Sequence, residues 1–210
     1  MNARRAAFGA GLAMFVVYAA TLAPGLTFWD SGEFIAAAHS LGIPHPPGTP
    51  VFVIALKAWT ELLGFLSFAR ATNLFSAVCT ASAVTVTVLW LARTRGAMPT
   101  SASVAAGIAA GAMSSVWQNA TETEVYAATL VLALATVAAA DLAGRTGERR
   151  WLIAVAYLIA LAVPLHMSAL VAAPVAVFLV GRRENAPFAW GRAAIILGAA
   201  IATTGVGRVS

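Results

Sequence analysis

Long apolar runs separated by short basic clusters set the pattern of this chain. The first apolar run covers Ala6 to Leu26, directly behind Arg4-Arg5. Others cover Ala71–Ala92, Ala102–Trp117, Val125–Ala143 and Trp151–Val180, and a last one begins near Arg192. A helix that crosses a bilayer needs about 20 mostly apolar residues, so this spacing predicts an all-α, polytopic membrane protein. Arg4-Arg5 ahead of an apolar stretch also resembles a signal peptide. The stretch outruns an h-region of about 7–15 residues and Pro24 follows its small-residue site, which favours an uncleaved first span.

Charge settles which stretches cross. Basic clusters stand at Arg4-Arg5, Arg93/Arg95, Arg145–Arg150 and Arg182-Arg183. Placing all of them in the cytoplasm puts the loop Asp30–Pro50 outside and leaves Val51–Phe68 uncrossed. That segment carries Lys57, Glu61 and Gly64 at helical spacing, with Thr60 beside them. Lys57 and Glu61 can pair across one turn, and such a striped helix lies flat in the interface. Ala102–Trp117 then runs outward with Gly107 and Gly111 as a small-residue packing face, Gln118–Glu124 turns outside, and Val125–Ala143 returns. Trp151–Val180 suits two short helices broken around Pro164-Leu165-His166, which brings His166 toward the outer side. The expected domain is a single transmembrane unit over 1–210, with interfacial helices in the first outer loop, 27–69. The chain stops at Ser210 soon after its last span begins, so a longer polypeptide is expected.

Composition agrees. Of 210 residues, 60% are hydrophobic and only 10% charged, too few for a water-facing surface. The mean hydropathy is +0.85. A net charge of +5 could point to nucleic acid, but the arginines fall in loop clusters and form no binding face. Cys79 is the sole cysteine, so no intrachain disulfide forms.

Chemistry concentrates in the first outer loop. Asp30 and Glu33 are three apart at the start of a helix expected from Gly32 to Leu41, with Ser31 as its cap and Pro44, Pro46, Pro47 and Pro50 beyond its end. One carboxylate can hold a substrate while the other takes a proton. The same residues also serve as helix-end charges beside an aromatic belt of Phe28 and Trp29. His45-Pro46-Pro47-Gly48 fixes a histidine on a stiff turn, although His39 and His45 make no recognisable metal spacing. Glu122 and Glu124 fall on the second outer turn. Lys57 and Arg70 lie on the outer side against the charge rule, where either a lipid phosphate or simple snorkelling explains them. Asn119-Ala120-Thr121 matches a glycosylation acceptor but lies too close to the membrane.

Asp30-Ser31-Gly32-Glu33-Phe34 and Leu41-Gly42-Ile43-Pro44-His45-Pro46-Pro47-Gly48-Thr49-Pro50 resemble the signature of a polytopic protein O-mannosyltransferase family, the transmembrane-protein-260-like proteins. Thr123-Glu124-Val125-Tyr126 and Pro164-Leu165-His166 are similar to its later pattern. That family resembles the GT-C class of glycosyltransferases, which implies horizontal helices in the first outer loop and a polyprenyl-phosphate-linked sugar as donor. By this resemblance Asp30 is the base that deprotonates a Ser or Thr hydroxyl of a secreted or membrane protein, and Glu33 orients the acceptor or a divalent metal. His45, Arg70, Glu122, Glu124 and His166 are expected contacts to donor or acceptor, on the extracytoplasmic face. Two other readings compete: a lipid-linked-sugar flippase or transporter, and a non-catalytic membrane assembly subunit. A transporter places its ionisable groups at the midplane, often in repeated halves. Here the acids gather on one surface and no repeat shows.

Overall fold

A computed structural model describes residues 2–46, 48–94, 96–184 and 186–206. Pro47, Arg95 and Ser210, used above, lie outside the described residues. Helix is the only regular structure among those described, in ten α-helices and one 3-10 segment. The chain forms two compact units, Met1–Val131 and Leu132–Ser210.

In the first unit, α4 (Phe68–Leu91) is the central helix, contacted by α1 (Ala3–Ala20), α2 (Ser31–Ser40), α3 (Pro50–Leu62), α5 (Thr100–Gly111) and α6 (Ser114–Thr121). Ala7, Ala10, Met14 and Tyr18 recur at three- and four-residue steps along α1 and bury one stripe against Ala77, Val84 and Val88 of α4. Small residues permit the close approach. A Cβ on Gly11 would sit 2.0 Å from Thr85 Oγ1, and one on Gly107 would sit 2.5 Å from Val88 Cγ2. The Gly107/Gly111 face therefore packs as its spacing predicts.

Several boundaries differ from the sequence expectation; Val51–Phe68, for one, is helix only to Leu62, and Phe68 already opens α4. The first run ends as helix at Ala20, short of Leu26, where the hydroxyl of Thr21 bonds back to the carbonyl of Val17 and Pro24 follows. Ala102–Trp117 is not one span but α5 and α6, separated at Ala112-Met113. Tyr18 Oη donates to the Gly111 carbonyl at 2.8 Å, so a buried side chain takes the acceptor that a continuing helix would have used. At 12 residues α5 is about 18 Å long, short of a bilayer core. Gln118–Thr121 consequently belongs to α6, and only Glu122–Glu124 link it to α7 (Val125–Thr146).

Among the described residues two helices, α4 with 24 residues and α7 with 22, are long and apolar enough to cross a membrane. The 13 residues of α3 give about 20 Å, too short to cross, and Lys57 pairs with Glu61 at 2.9 Å as its spacing predicts.

The second unit contains the end of α7, α8 (Arg149–Leu165), a 3-10 segment (Met167–Ala172), α9 (Ala173–Gly181) and α10 (Trp190–Val206). The break after Leu165 falls where Pro164-Leu165-His166 predicts it. Ala140, Ala143, Val155, Ile159, Ala176, Val180 and Ile196 form its core. Arg192 caps the end of α7, giving hydrogen bonds to the carbonyls of Gly147 (2.7 Å) and Ala143 (3.0 Å).

Candidate functional site

The site grows from the start of α2. Asp30, not Ser31, occupies the N-cap position, and its side chain makes no capping hydrogen bond. Ser31 is the first helical residue, fully buried, with its hydroxyl lacking a partner. The carboxylate of Asp30 is thus half exposed and not spent on the helix. Just before it, Trp29 adopts φ +63°, a left-handed conformation that costs a non-glycine residue about 1–3 kcal/mol. The strained turn leaves the indole 86% exposed, with Phe28 beside it in the chain equally open.

A second segment closes on this start. Leu41 ends α2 in the left-handed region, φ +54°, and turns the chain back. His45 then docks on Glu33 through two bonds. Its backbone N–H donates to Oε1 at 2.6 Å, and its ring Nδ1 lies 2.8 Å from Oε2. The ring's other nitrogen, Nε2, faces Asp30 Oδ2 at 4.0 Å. Gly48, at φ +71°, donates its N–H to the carbonyl of His45 and closes the turn. Beneath, Phe34 is buried between the rings of His45 (5.7 Å between centroids) and Phe52 (5.3 Å). A mostly apolar cavity of about 460 Å³ opens beside the turn, lined in part by Leu41, Ile43, Thr49, Val53 and Ile54.

Electrostatics follow the geometry. The side-chain bond to His45, then the backbone one, holds Glu33 below its usual carboxylate range, and the same bond raises His45. Glu124 is buried just ahead of α7. Burial first, then the charges of Asp30 and Glu122, push its pKa up to about 7, with His45 opposing.

The structure therefore gathers Asp30, Glu33 and His45 directly and couples Glu124 to them through charge, with Glu122 acting on Glu124. Arg70 is exposed in the first turn of α4, and no hydrogen bond or ion pair among the described residues links its side chain to the cluster. His166 belongs to the second unit, where its Nδ1 lies 2.6 Å from Ser168 Oγ.

One ligand atom from each of Asp30, Glu33 and His45 can lie within 4.8 Å of the others, a donor set of the kind divalent metals use. The bond to Glu33 occupies Nδ1 of His45 and leaves Nε2, which faces Asp30, as the open imidazole ligand atom. Each Glu33 oxygen keeps a further lone pair, so this donor set does not require the Glu33–His45 pair to open.

Reading the sequence alone passes over Thr72, Asn73 and Ser76, three polar residues within an apparently uniform span. All three are fully buried, and they anchor the loops that carry Asp30 and Glu124. Their grouping within one turn of an apolar helix is the signal that would find them.

The profile described as "Protein O-mannosyl-transferase TMEM260 N-terminal domain" matches residues 30–187, a range that starts at Asp30. The chain is 35% identical over 114 residues to the protein O-mannosyl-transferase TMEM260 of Mus musculus, covering 52% of this chain and 15% of that protein. It is 43% identical over 37 residues to the protein O-mannosyl-transferase tmem260 of Dictyostelium discoideum, covering 18% of this chain and 4% of that one. The chain thus matches a small part of each relative's length. No solved structure matches it significantly.

Proposed function

The chain belongs to the family of TMEM260-type protein O-mannosyl-transferase N-terminal domains, and from that premise we propose that it carries the catalytic loop of a polytopic, GT-C-like membrane mannosyltransferase. The donor is a polyprenyl-phosphate-linked mannose, and the acceptor is a Ser or Thr hydroxyl of an exported protein. The observation that carries this reading is the unspent carboxylate of Asp30 at the mouth of α2, 4.0 Å from His45 Nε2.

The reaction follows from these groups. A carboxylate oxygen of Asp30 takes the acceptor's hydroxyl proton as that oxygen attacks the anomeric carbon of the sugar. The bond from that carbon to the phosphate oxygen breaks, polyprenyl phosphate leaves with the electron pair, and the anomeric configuration inverts. Glu33 holds the imidazole of His45 and so positions it beside Asp30, together with its expected part in orienting the acceptor or a metal. Arg70, exposed and without an ion pair among the described residues, is the phosphate contact. The apolar cavity beside Ile43 and Ile54 suits an isoprenoid chain at a membrane surface. Glu122 and His166 remain proposed contacts on the extracytoplasmic side.

The test compares wild type with Asp30→Asn in the longest polypeptide that carries this segment, in membranes supplied with polyprenyl-phosphate mannose. Mass spectrometry of secreted acceptors reads hexose addition. Loss of a base lowers transfer by about 10²–10⁴-fold at equal protein abundance. Equal transfer by the two forms removes Asp30 from the chemistry, and no transfer by wild type removes the enzyme reading.

A further inference from the structure

Asp30 and Glu124 come from segments far apart in the sequence, yet the charge of Asp30 reaches Glu124. Something must set their separation. Neither loop has regular structure of its own, and both rest on the same turn of α4.

Asn73 is fully buried on that turn. Its Nδ2 donates to the carbonyls of Ala23 and Gly25, each at 3.0 Å, in the loop that leads to Asp30. Those carbonyls can only accept, so the NH₂ of the amide must face them and Oδ1 must face the other way. There it receives the hydroxyl of Thr123 at 2.5 Å. Thr123 Oγ1 also lies 2.8 Å from Thr72 Oγ1, whose own proton goes to the carbonyl of Ala69. The next residue, Glu124, gives its N–H to Ser76 Oγ at 3.3 Å. A backbone bond from Ala23 N–H to Thr121 O, 2.9 Å, ties the two loops directly.

We propose that Asn73 and Thr123 are positioning residues, a buried clamp that fixes the Asp30 loop and the Glu124 loop on one turn of α4 and so sets the spacing of the two acids. This rests on the mannosyl-transfer reading for its catalytic consequence, but not for the clamp itself. Both donors of the Asn73 amide and its acceptor oxygen are engaged, which leaves it no second arrangement of equal quality. An aspartate there has nearly the same shape but sets carboxylate oxygen against two carbonyls. A valine at 123 keeps the volume and loses the hydroxyl.

The experiment uses the longest polypeptide carrying this segment, in detergent, as wild type, Asn73→Asp, Thr123→Val and Thr123→Ser. Hydrogen exchange is read on peptides spanning residues 21–30 and 119–126, and steady-state transfer is measured with polyprenyl-phosphate mannose. Thr123→Val and Asn73→Asp should speed exchange in both peptides together by about tenfold. They should lower kcat by about 10²-fold through misplacement of the base, with the KM for donor within a few-fold. Thr123→Ser keeps the hydroxyl and should restore both. Exchange that rises in only one peptide overturns the clamp, as does a kcat for Thr123→Val within about threefold of wild type, far short of a misplaced base. A Thr123→Ser variant no better than Thr123→Val also overturns it. If Asn73→Asp does not fold, the two Thr123 variants decide alone. Coupled exchange changes in a wild-type background that transfers no mannose leave the clamp standing and remove the transfer reading.

Discussion

Glu33 and His45 each stabilise the other's charged form, which ties the docking of the proline turn to pH. His45 is held above its usual 6.5, chiefly by the side-chain bond to Glu33 and despite some burial. Its contribution is complete below 6.5 and is lost as pH rises through the raised value. Glu33 is held below its usual 4.5, chiefly by the same bond. Its contribution is complete above 4.5 and is lost as pH falls through the lowered value. The turn should therefore be docked most firmly between about 4.5 and 6.5 and loosen on either side. NMR titration of a labelled His45 ring checks the coupling, since Glu33→Gln should bring its pKa down toward 6.5. A titration curve that Glu33→Gln leaves in place would remove the pair from the account. At this scale the sequence shows which residue types are present but not what each one does. Asp30 and Glu33 stand out as a pair three residues apart. That Glu33 faces His45, and Asp30 alone is left free, depends on a turn that closes over twelve residues.

The breaks between helices differ in how visible they are for the same kind of reason. Pro164 is a local signal, because its ring and missing N–H disturb the helix around it, and α8 ends one residue later. The break after Gly111 is not local, since the Tyr18 hydroxyl that takes its carbonyl lies 93 residues away. Tyr18→Phe leaves that buried carbonyl without its side-chain donor and should cost about 1–3 kcal/mol, read as a lower midpoint for unfolding in detergent. No change would mean that water or a backbone group takes over the carbonyl. Glycines divide in the same way. In the second unit, a Cβ on Gly144 would lie 2.1 Å from the carbonyl oxygen of Leu179, while one on Gly198 meets nothing within 4 Å. Gly144→Ala must push backbone against backbone and should destabilise by about 1–3 kcal/mol, with Gly198→Ala close to neutral. Equal effects would show that the α7–α9 contact yields easily.

For the whole molecule, apolar length and the distribution of arginines are two separate arguments about the membrane. Length selects α4 and α7 among the described helices. The charge rule goes further, because it requires α4 to cross while α3 does not, with Arg93 left in the cytoplasm. Apart from the α5/α6 break, the elements and their order were legible because hydrophobic runs and Pro/Gly interruptions act over a few residues. The division into two units was not, because the division at Val131/Leu132 falls inside α7, with no composition change to mark it. Orientation can be measured without reference to any enzyme activity. With Cys79 replaced by serine, a single cysteine at Leu66, just before α4, should react with a membrane-impermeant maleimide in intact cells. One at Thr94, just after it, should react only once the membrane is opened. If both react from the same side, α4 does not cross. The first outer loop then has no assigned side, and Asp30 loses the extracytoplasmic surface on which an exported acceptor would meet it.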